Sequence, residues 1–521
     1  MSGQPIFILS EDSERTRGKD AQTSNIQAGK AVAEAVRTTL GPKGMDKMLV
    51  GSSGDVVITN DGATILDEMD IEHPAAQMIV EVAETQEEEI GDGTTTAAVL
   101  TGELLAKAED LLEDDVHPTT IVEGYHEATR LAHAAITEHA LDDELDDDLL
   151  RQVAATSMTG KGTGDVDADV LAERVIDAVN HVRDGDDVDQ DAIHLESQVG
   201  GSSGATRLVE GFILDEERAH ENMPRSVEDA RVLVLDMELD VRETEVDAEL
   251  NITNADQLNA ALETETAELR GYAETLSEAG ADVVFCTDDI EDRVASWLAD
   301  EGILAFEDVS DDDAKAIARA TGATRVGTLN DLEDDDFGHA ERVSLERFGE
   351  EDELAFVEGG AEAKAVTVFV RGGTEHVVDE LERAVQDAID VVSATIRSGE
   401  VVPGAGVVEV GIASAVRDGA AGISGRKQLA VEAFADAIEV VPRTLAENAG
   451  MDQIDALVDL RAANEGGRAG IIARGETGEI GDPVDDGVLD PAAVKREAVD
   501  SATEAATMIV RIDDVISADT D

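Results

Sequence analysis

This chain of 521 residues has almost no cysteine and no long apolar stretch. It contains a single cysteine, Cys286, so it cannot form an intrachain disulfide, and a lone cysteine favours a reducing compartment. It shows no basic segment followed by an apolar stretch at its start. It also lacks any run of the roughly 20 apolar residues that a membrane helix needs. We therefore expect a soluble, cytoplasmic protein.

Positive charge is scarce as well. The chain has 39 basic and 119 acidic side chains, a formal net charge of −80 and a pI near 4.1. A surface of this sign repels nucleic acid, whose binding requires basic groups that neutralise phosphates and displace their counterions into solution. It repels anionic membranes because like charges repel. Neither a nucleic acid nor a membrane is therefore an expected partner. Because 42% of the residues are hydrophobic, the charge is spread over folded structure.

The basic residues are mostly arginine, with 29 Arg against 10 Lys, and aromatic residues make up only 2% of the chain. Molar salt shortens the Debye length to about 3 Å and so screens a crowded carboxylate surface. We interpret the composition as that of a halophile's protein, with an acidic mesophilic protein as the alternative. Histidines are scattered without a Cys or HExxH framework, so no zinc site is expected.

The chain is longer than a single hydrophobic core usually supports, so we expect several domains. The pattern of apolar residues separates helical ends from a middle segment of different character. Residues 24–40 have helical spacing, with Ser24 and Gln27 as a capping box, and further helical patterns cover 74–90, 94–113, 118–140, 376–397, 404–417, 426–447 and 491–508. Between them, short apolar runs alternate with helical patterns, as in an α/β domain. The simplest arrangement has both ends folding together and the middle inserted.

One helical pattern and two acidic clusters, in the middle of the chain and at its border, allow further predictions. A helix at about 255–279 has leucines on one stripe, at 258, 262, 269 and 276, with Asn254 and Gln257 as a second capping box, so most of its surface should face solvent. Acidic clusters at 142–148 and 333–336 are interpreted as solvated connections and not as metal sites.

Two glycine-rich segments have the composition of phosphate sites. Gly91-Asp92-Gly93-Thr94-Thr95-Thr96 stands where a helix should begin, so backbone N–H groups, hydroxyls and the helix dipole would converge there, and Asp92 could hold Mg²⁺ against phosphates. Leu40-Gly41-Pro42-Lys43-Gly44 follows a helix. Neither matches a Walker P-loop or a Rossmann fingerprint, and each alone could be an ordinary helix-capping turn.

Taken together, the motifs of this chain resemble those of the chaperonins. The resemblance to the group II branch, the archaeal thermosome subunits, runs essentially from residue 5 to 516, and with the composition it points to a halophilic archaeon. It is carried by the segments Thr38-Thr39-Leu40-Gly41-Pro42-Lys43-Gly44-Met45-Asp46-Lys47-Met48, Asn60-Asp61-Gly62-Ala63-Thr64-Ile65-Leu66, Gly91–Thr96, Val283-Val284-Phe285-Cys286, Ala318–Ala323 and Arg371-Gly372-Gly373-Thr374-Glu375-His376.

The resemblance implies a multi-domain α plus α/β chaperonin fold. A mostly helical equatorial ATP-binding domain would comprise 1–144 and 399–521, and a hinge-like intermediate domain 145–211 and 362–398. An α/β apical substrate-binding domain would comprise 212–361, with a helical lid protrusion at about 247–279.

The resemblance also assigns the site. It implies that Asp92 binds Mg²⁺ and that Asp61 and Asp387 place and activate the attacking water. The residues it implies for nucleotide binding are Leu40, Gly41, Pro42, Gly93, Thr94, Thr95, Thr96, Lys161, Gly406, Asp490 and Lys495. Lys161 resembles a lysine that senses the γ-phosphate, with a solvated loop lysine as the alternative. Gly406, Asp490 and Lys495 would lie on the ribose and base side.

The sequence departs from the family pattern at two places. Gly404-Ala405-Gly406 stands where the family has three glycines, which adds a methyl group beside the nucleotide and predicts an altered nucleotide affinity. The sequence given ends in Ser517-Ala518-Asp519-Thr520-Asp521 without a Gly-Met-rich tail, which puts any contribution of such a tail in doubt.

The implied function is that of an ATP-dependent folding chaperonin subunit. Two stacked rings of identical or related subunits, eight per ring, would enclose non-native client proteins, and Mg-dependent ATP hydrolysis would close a built-in lid. ATP and Mg²⁺ are the expected cofactors, and K⁺ is a further candidate in a halophilic cytosol. The alternatives are a mainly structural or regulatory ring subunit of a mixed chaperonin with weak folding activity, which intact Asp61, Asp92 and Asp387 argue against, and a metabolic kinase or ATPase.

Overall fold

A computed structural model describes residues 15–51, 54, 56–162, 166–241, 255–330, 332–349, 352–360, 364–475 and 477–516. The chain divides into two compact units, Met1–Ile176 together with Asp379–Asp521 (unit 1) and Asp177–Val378 (unit 2). Both ends of the chain thus contribute to one unit and the middle forms the other. The expected division into three domains stays a prediction.

The described residues contain the following α-helices: α1 (Lys19–Arg37), α2 (Gly62–Asp67), α3 (Pro74–Ile90), α4 (Thr94–Glu113), α5 (Pro118–Glu138), α6 (Asp147–Met158), α7 (Ala168–Val182), α8 (Ala255–Ala279), α9 (Asp292–Glu301), α10 (Asp311–Thr321), α11 (Glu375–Ser398), α12 (Val407–Ala420), α13 (Lys427–Ile438), α14 (Val440–Asn448), α15 (Gln453–Asn464) and α16 (Ala492–Val510). No described helix is both long enough and apolar enough to span a bilayer.

Most of the strands in the described residues are short. They are β1 (Arg15–Arg17), β2 (Lys47–Val50), β3 (Val56–Thr59), β4 (Arg183–Asp184), β5 (Asp187–Val188), β6 (Ile193–Val199), β7 (Arg207–Val209), β8 (Gly211–Leu214), β9 (Ser226–Leu235), β10 (Val283–Cys286), β11 (Leu304–Phe306), β12 (Arg325–Val326), β13 (Gly338–Phe348), β14 (Asp352–Glu358), β15 (Val366–Gly372), β16 (Val401–Pro403), β17 (Gly470–Arg474), β18 (Thr477–Gly481), β19 (Leu489–Pro491) and β20 (Asp514–Ile516).

Unit 1 is built around α4. This helix is buried on several sides, from Thr94 at its start to Leu111 near its end, because α1, α3, α5, α13 and α16 pack around it. Small residues let the helices approach closely. A Cβ added at Gly102 would lie 2.2 Å from the Cβ of Ala33 on α1, so a side chain at Gly102 would push the two helices apart. The alanine-rich composition therefore produces a tightly packed helical core.

Unit 2 contains a seven-stranded mixed sheet. Its strand order is β11-β10-β9-β13-β14-β8, with β12 also pairing with β9. The parallel part, where β10 lies between β9 and β11, is fully buried, and Phe285 stacks on Phe306 with ring centroids 5.0 Å apart. A separate three-stranded sheet, β6-β15-β7, places β15 between a parallel and an antiparallel neighbour. The α/β interpretation of the middle segment is confirmed.

Helix α8 occupies the predicted range and is packed along only part of its length. Leu269 and Leu276 are fully buried, whereas Leu262 is 48% exposed. The stripe therefore contacts the core at Leu269 and Leu276, in the C-terminal half of the helix, and faces solvent at Leu262. Asn254, the expected cap, lies outside the described residues.

The structure corrects several element boundaries. Helix α1 begins at Lys19 with Gly18 as its N-cap, so Ser24 and Gln27 lie inside the helix and the predicted capping box is wrong. The pattern at 426–447 is two helices, because the chain is interrupted at Glu439 between α13 and α14. Helix α15 was not predicted, because its apolar and polar residues are spread evenly around the helix.

We predict that Cys286 is chemically silent in the folded protein. Its side chain is fully buried, burial raises the pKa of its thiol to about 12, and Sγ donates a hydrogen bond to the carbonyl oxygen of Met237 at 3.0 Å. Since the thiolate is the nucleophile, Ellman's reagent at pH 8 should label no thiol in molar KCl and one thiol after denaturation. Glu274→Cys, on the exposed face of α8, should add one rapidly labelled thiol, and rapid labelling without it would contradict the prediction.

Candidate functional site

Unit 1 contains a cavity of about 440 Å³, within the size range of small-molecule sites. Thirteen of the predicted site residues line it: Leu40, Gly41, Pro42, Asp61, Asp92, Gly93, Thr94, Thr95, Thr96, Lys161, Gly406, Asp490 and Lys495. Asp387 is not part of the lining, but it is paired with Lys161, which is. Segments far apart in the sequence therefore meet at one place, as the resemblance implies.

One wall of the cavity is the turn between α3 and α4. Gly91 and Gly93 have φ values of 75° and 86°, a left-handed conformation that favours glycine. Helix α4 begins directly after Gly93 without a side-chain cap, and Thr94, Thr95 and Thr96 of its first turn line the cavity. Backbone N–H groups at the start of a long helix, together with three hydroxyls, suit an anionic group such as phosphate.

A second wall is formed by the loop after α1 and by the segment after α6. Gly41 has a φ of 83°, and a Cβ there would lie 2.3 Å from Leu445. Gly160 lies against Pro42, and its carbonyl oxygen accepts a hydrogen bond from Nδ2 of Asn60 at 2.6 Å. These contacts fix Lys161, the next residue, at the edge of the cavity.

Several carboxylates of this region lie near Lys161. Lys161 forms a close ion pair with Asp387 of α11, and both side chains are largely buried. Burial alone would lower the pKa of Lys161, but Asp387 and Asp92 raise it well above its usual range. Burial raises the pKa of Asp387 to about 7, although Lys161 opposes this shift. The lysine is therefore charged, and the pKa of Asp387 lies close to neutral pH.

Two further carboxyl groups shape the electrostatics. Asp61 caps α2, and its Oδ2 accepts the backbone N–H of Thr64 at 2.7 Å. Glu87 of α3 was not predicted as a site residue, yet burial and the charges of Asp387 and Asp61 raise its pKa to about 9. Glu87 is therefore protonated at neutral pH. Burial also raises the pKa of Asp92. The cluster is short of positive charge.

Another part of the cavity lining is apolar. It includes Val441, Leu445, Ile471, Ile472 and Val488. Gly406 has a φ of 84° and caps α12, and Ala405 beside it has a φ of 58°, which is strained for a residue with a Cβ. The departure noted in the sequence thus falls where the backbone needs a glycine-like conformation. Such a surface suits the ribose and base of a nucleotide.

Two residues of the lining, Lys495 and Asp490, form a largely buried ion-pair triad with Glu409. Nζ of Lys495 lies 2.7 Å from Oδ2 of Asp490 and 2.9 Å from Oε1 of Glu409. Burial alone would lower the pKa of Lys495, but the two carboxylates raise it well above its usual range. Glu409, which sequence reasoning missed, is 3% exposed. The one sign of this in the sequence is that Glu409 is an acidic residue among valines at the start of a helix.

Comparison with known proteins gives consistent matches over the chain. The model of the TCP-1/cpn60 chaperonin family matches residues 32–520. Thermosome subunit 3 of Haloferax volcanii is 68% identical over 518 residues, covering 99% of each chain. Thermosome subunit alpha of Halobacterium salinarum is 54% identical over 521 residues, covering 99% of this chain and 92% of that one. The thermosome subunit of Methanopyrus kandleri is 52% identical, with 99% and 95% covered. Two of these organisms are halophiles.

We predict that removing the positive charge of the triad destabilises unit 1. Lys495→Met leaves Asp490 and Glu409 as buried carboxylates without a cation, which should cost about 3–5 kcal/mol and lower the thermal midpoint measured without nucleotide. Lys107→Met, which removes the partly exposed pair of Lys107 and Glu103 at 3.5 Å, should cost less than about 1 kcal/mol.

Neutralising all three members of the triad separates charge from packing. The variant carrying Lys495→Met, Asp490→Asn and Glu409→Gln should recover most of the lost stability, because no unpaired buried charge remains. Equal losses in Lys495→Met and Lys107→Met would contradict the assignment of the triad as a buried charge network.

Proposed function

This chain belongs to the TCP-1/cpn60 chaperonin family, and on that premise we propose how it works as an ATP-dependent protein-folding chaperonin subunit. The observation that carries the proposal is the cavity of about 440 Å³ in unit 1, where a helix start, two glycine loops and several carboxyl groups converge. We propose that this cavity binds ATP with its phosphates at α4 and its nucleoside at Gly406 and Asp490.

The donor set around Asp92 fits Mg²⁺. Among the described residues, no group of three or more His, Cys, Asp and Glu side chains could hold a metal ion by itself. A hard cation held by one carboxylate needs phosphate oxygens to complete its ligands, which is how Mg²⁺ commonly binds at nucleotide sites. In this proposal Asp92 holds the ion, which would neutralise charge on the phosphates during hydrolysis.

We assign Asp61 and Asp387 to the attacking water. Asp61 is fixed by its capping contact with Thr64, and Asp387 is held by Lys161, so both carboxyl groups are oriented by the chain itself. Phosphoryl transfer depends mainly on positioning and electrostatics, and an aspartate with a pKa near 7 can accept a proton at neutral pH. Lys161 would contact the terminal phosphate.

The remaining parts of the proposal concern the assembly. Subunits would form two stacked rings, eight per ring, made of identical or related chains in the cytoplasm, and the rings would enclose non-native proteins. Helix α8, whose exposed turns precede Leu269, supports a role as the lid protrusion. The apical, intermediate and equatorial ranges given above stay part of this proposal, as does K⁺ as an additional ion.

We predict that Asp387→Asn abolishes ATP-driven folding without preventing assembly. Loss of the proton acceptor should lower ATP turnover by about 100-fold or more, and refolding of a denatured client in molar KCl should stop. Asp379→Asn, on the same helix but two turns before the residue that pairs with Lys161, is the control and should leave both rates unchanged. Unchanged refolding by Asp387→Asn rings would instead support the mainly structural subunit.

We predict that the rings require salt. Copies that carry a net charge of −80 repel one another when packed side by side, and only a short Debye length removes most of this repulsion. Electron microscopy of the purified protein should therefore show double rings with eight subunits each in molar KCl and dissociated subunits at 50 mM KCl. Monomers alone in molar KCl would overturn the ring proposal.

A further inference from the structure

Gln86 is a buried residue next to the proposed metal ligand. It lies in the last turns of α3, six residues before Asp92, and its side chain is fully buried. Its Nε2 donates a hydrogen bond to the backbone carbonyl oxygen of Asp92 at 2.7 Å. The end of one helix is thereby tied directly to the turn that carries Asp92.

That turn needs such a restraint. Gly91 and Gly93, on either side of Asp92, are both left-handed, and glycine has more conformational freedom than any other residue. The Asp92 carboxylate accepts the backbone N–H of Gly93 at 2.7 Å, so its direction depends on how the peptide units around it are oriented. A hydrogen bond to the Asp92 carbonyl fixes that orientation from the side of α3.

The packing around Gln86 agrees with this role. A Cβ added at Gly93 would lie 3.0 Å from Nε2 of Gln86 and 2.9 Å from Val494, so the carboxamide lies against the turn itself. Oε1 of Gln86 is buried and has no hydrogen-bond partner within the described part of the chain. A buried unpaired acceptor destabilises the fold, and an apolar side chain of the same size would avoid that cost.

We propose that Gln86 is a positioning residue for Mg-dependent ATP hydrolysis, one that holds Asp92 in the orientation in which it binds Mg²⁺. The proposal rests on the proposed function, because it takes Asp92 as the metal ligand. Groups that orient a ligand through a hydrogen bond typically change metal affinity by about 10–100-fold when they are removed.

The test compares Gln86→Met with Thr101→Val. Methionine keeps the length and volume of glutamine but cannot donate to Asp92. Thr101 is also fully buried, and its hydroxyl donates to the carbonyl oxygen of Ala97 at 2.8 Å within α4, so Thr101→Val removes a comparable hydrogen bond away from the turn. Gln86→Leu is the second variant if Gln86→Met does not assemble.

Two measurements are made on assembled protein in molar KCl. The first is the Mg²⁺ concentration that gives half-maximal ATP hydrolysis. The second, which needs no turnover, is the rise in thermal midpoint produced by ADP with Mg²⁺ compared with ADP and a chelator. Gln86→Met should raise the half-maximal Mg²⁺ concentration by about 10-fold or more and reduce the Mg-dependent rise in midpoint, while Thr101→Val changes each by less than about twofold.

Asp92→Asn distinguishes failure of the role of Gln86 from failure of the assignment of Asp92 as the metal ligand. If wild-type protein shows a Mg-dependent shift that Asp92→Asn removes, and Gln86→Met behaves like wild type, the role of Gln86 is refuted and the proposed function stands. If wild-type protein shows no Mg-dependent shift, or Asp92→Asn retains it, the assignment of Asp92 fails and the role of Gln86 fails with it.

Discussion

The scarcity of positive charge around buried carboxyl groups is the constraint on which the candidate site depends. Lys161 faces Asp387, Asp61 and Asp92, and Lys495, which also lines the cavity, pairs with Asp490 and Glu409. In a chain with 10 lysines, two line this one cavity and are largely buried. Each lysine holds together groups that would otherwise repel, so both have a structural task in addition to any contact with a ligand.

The packing of the cavity walls is constrained as closely as their charge. The cavity walls are turns in which glycine is required by geometry, because a Cβ at Gly41 would lie 2.3 Å from Leu445 and Gly91, Gly93 and Gly406 are left-handed. Backbone groups can therefore approach a ligand closely, and the small side chains of the helical core keep the helices that carry these turns in place. Ala405 departs from this rule, since it holds a left-handed conformation with a methyl group.

Much of this structure could be predicted from the sequence, and the exceptions have physical reasons. Strong periodicity located α3, α4 and α8, and the motifs located thirteen residues of the cavity lining. Helix α15 has no apolar face to detect, and the start of α1 lacks a capping side chain. Gln86, Glu87 and Glu409 were missed because their roles depend on burial and on partners from other segments, which spacing along one segment does not reveal.

The ion pair of Lys161 with Asp387 connects nucleotide binding to the state of the catalytic carboxyl group within the proposed function. Without nucleotide, the lysine is the cation nearest to Asp387, and burial holds the pKa of Asp387 near 7. A terminal phosphate would compete with Asp387 for Lys161. As that contact forms, Asp387 loses part of its ion pair, and its pKa rises further because burial and Asp61 then act on it unopposed. A pKa well above neutral pH would leave Asp387 protonated and unable to accept a proton, so we expect hydrolysis to need an arrangement in which Lys161 contacts the terminal phosphate and Asp387 together.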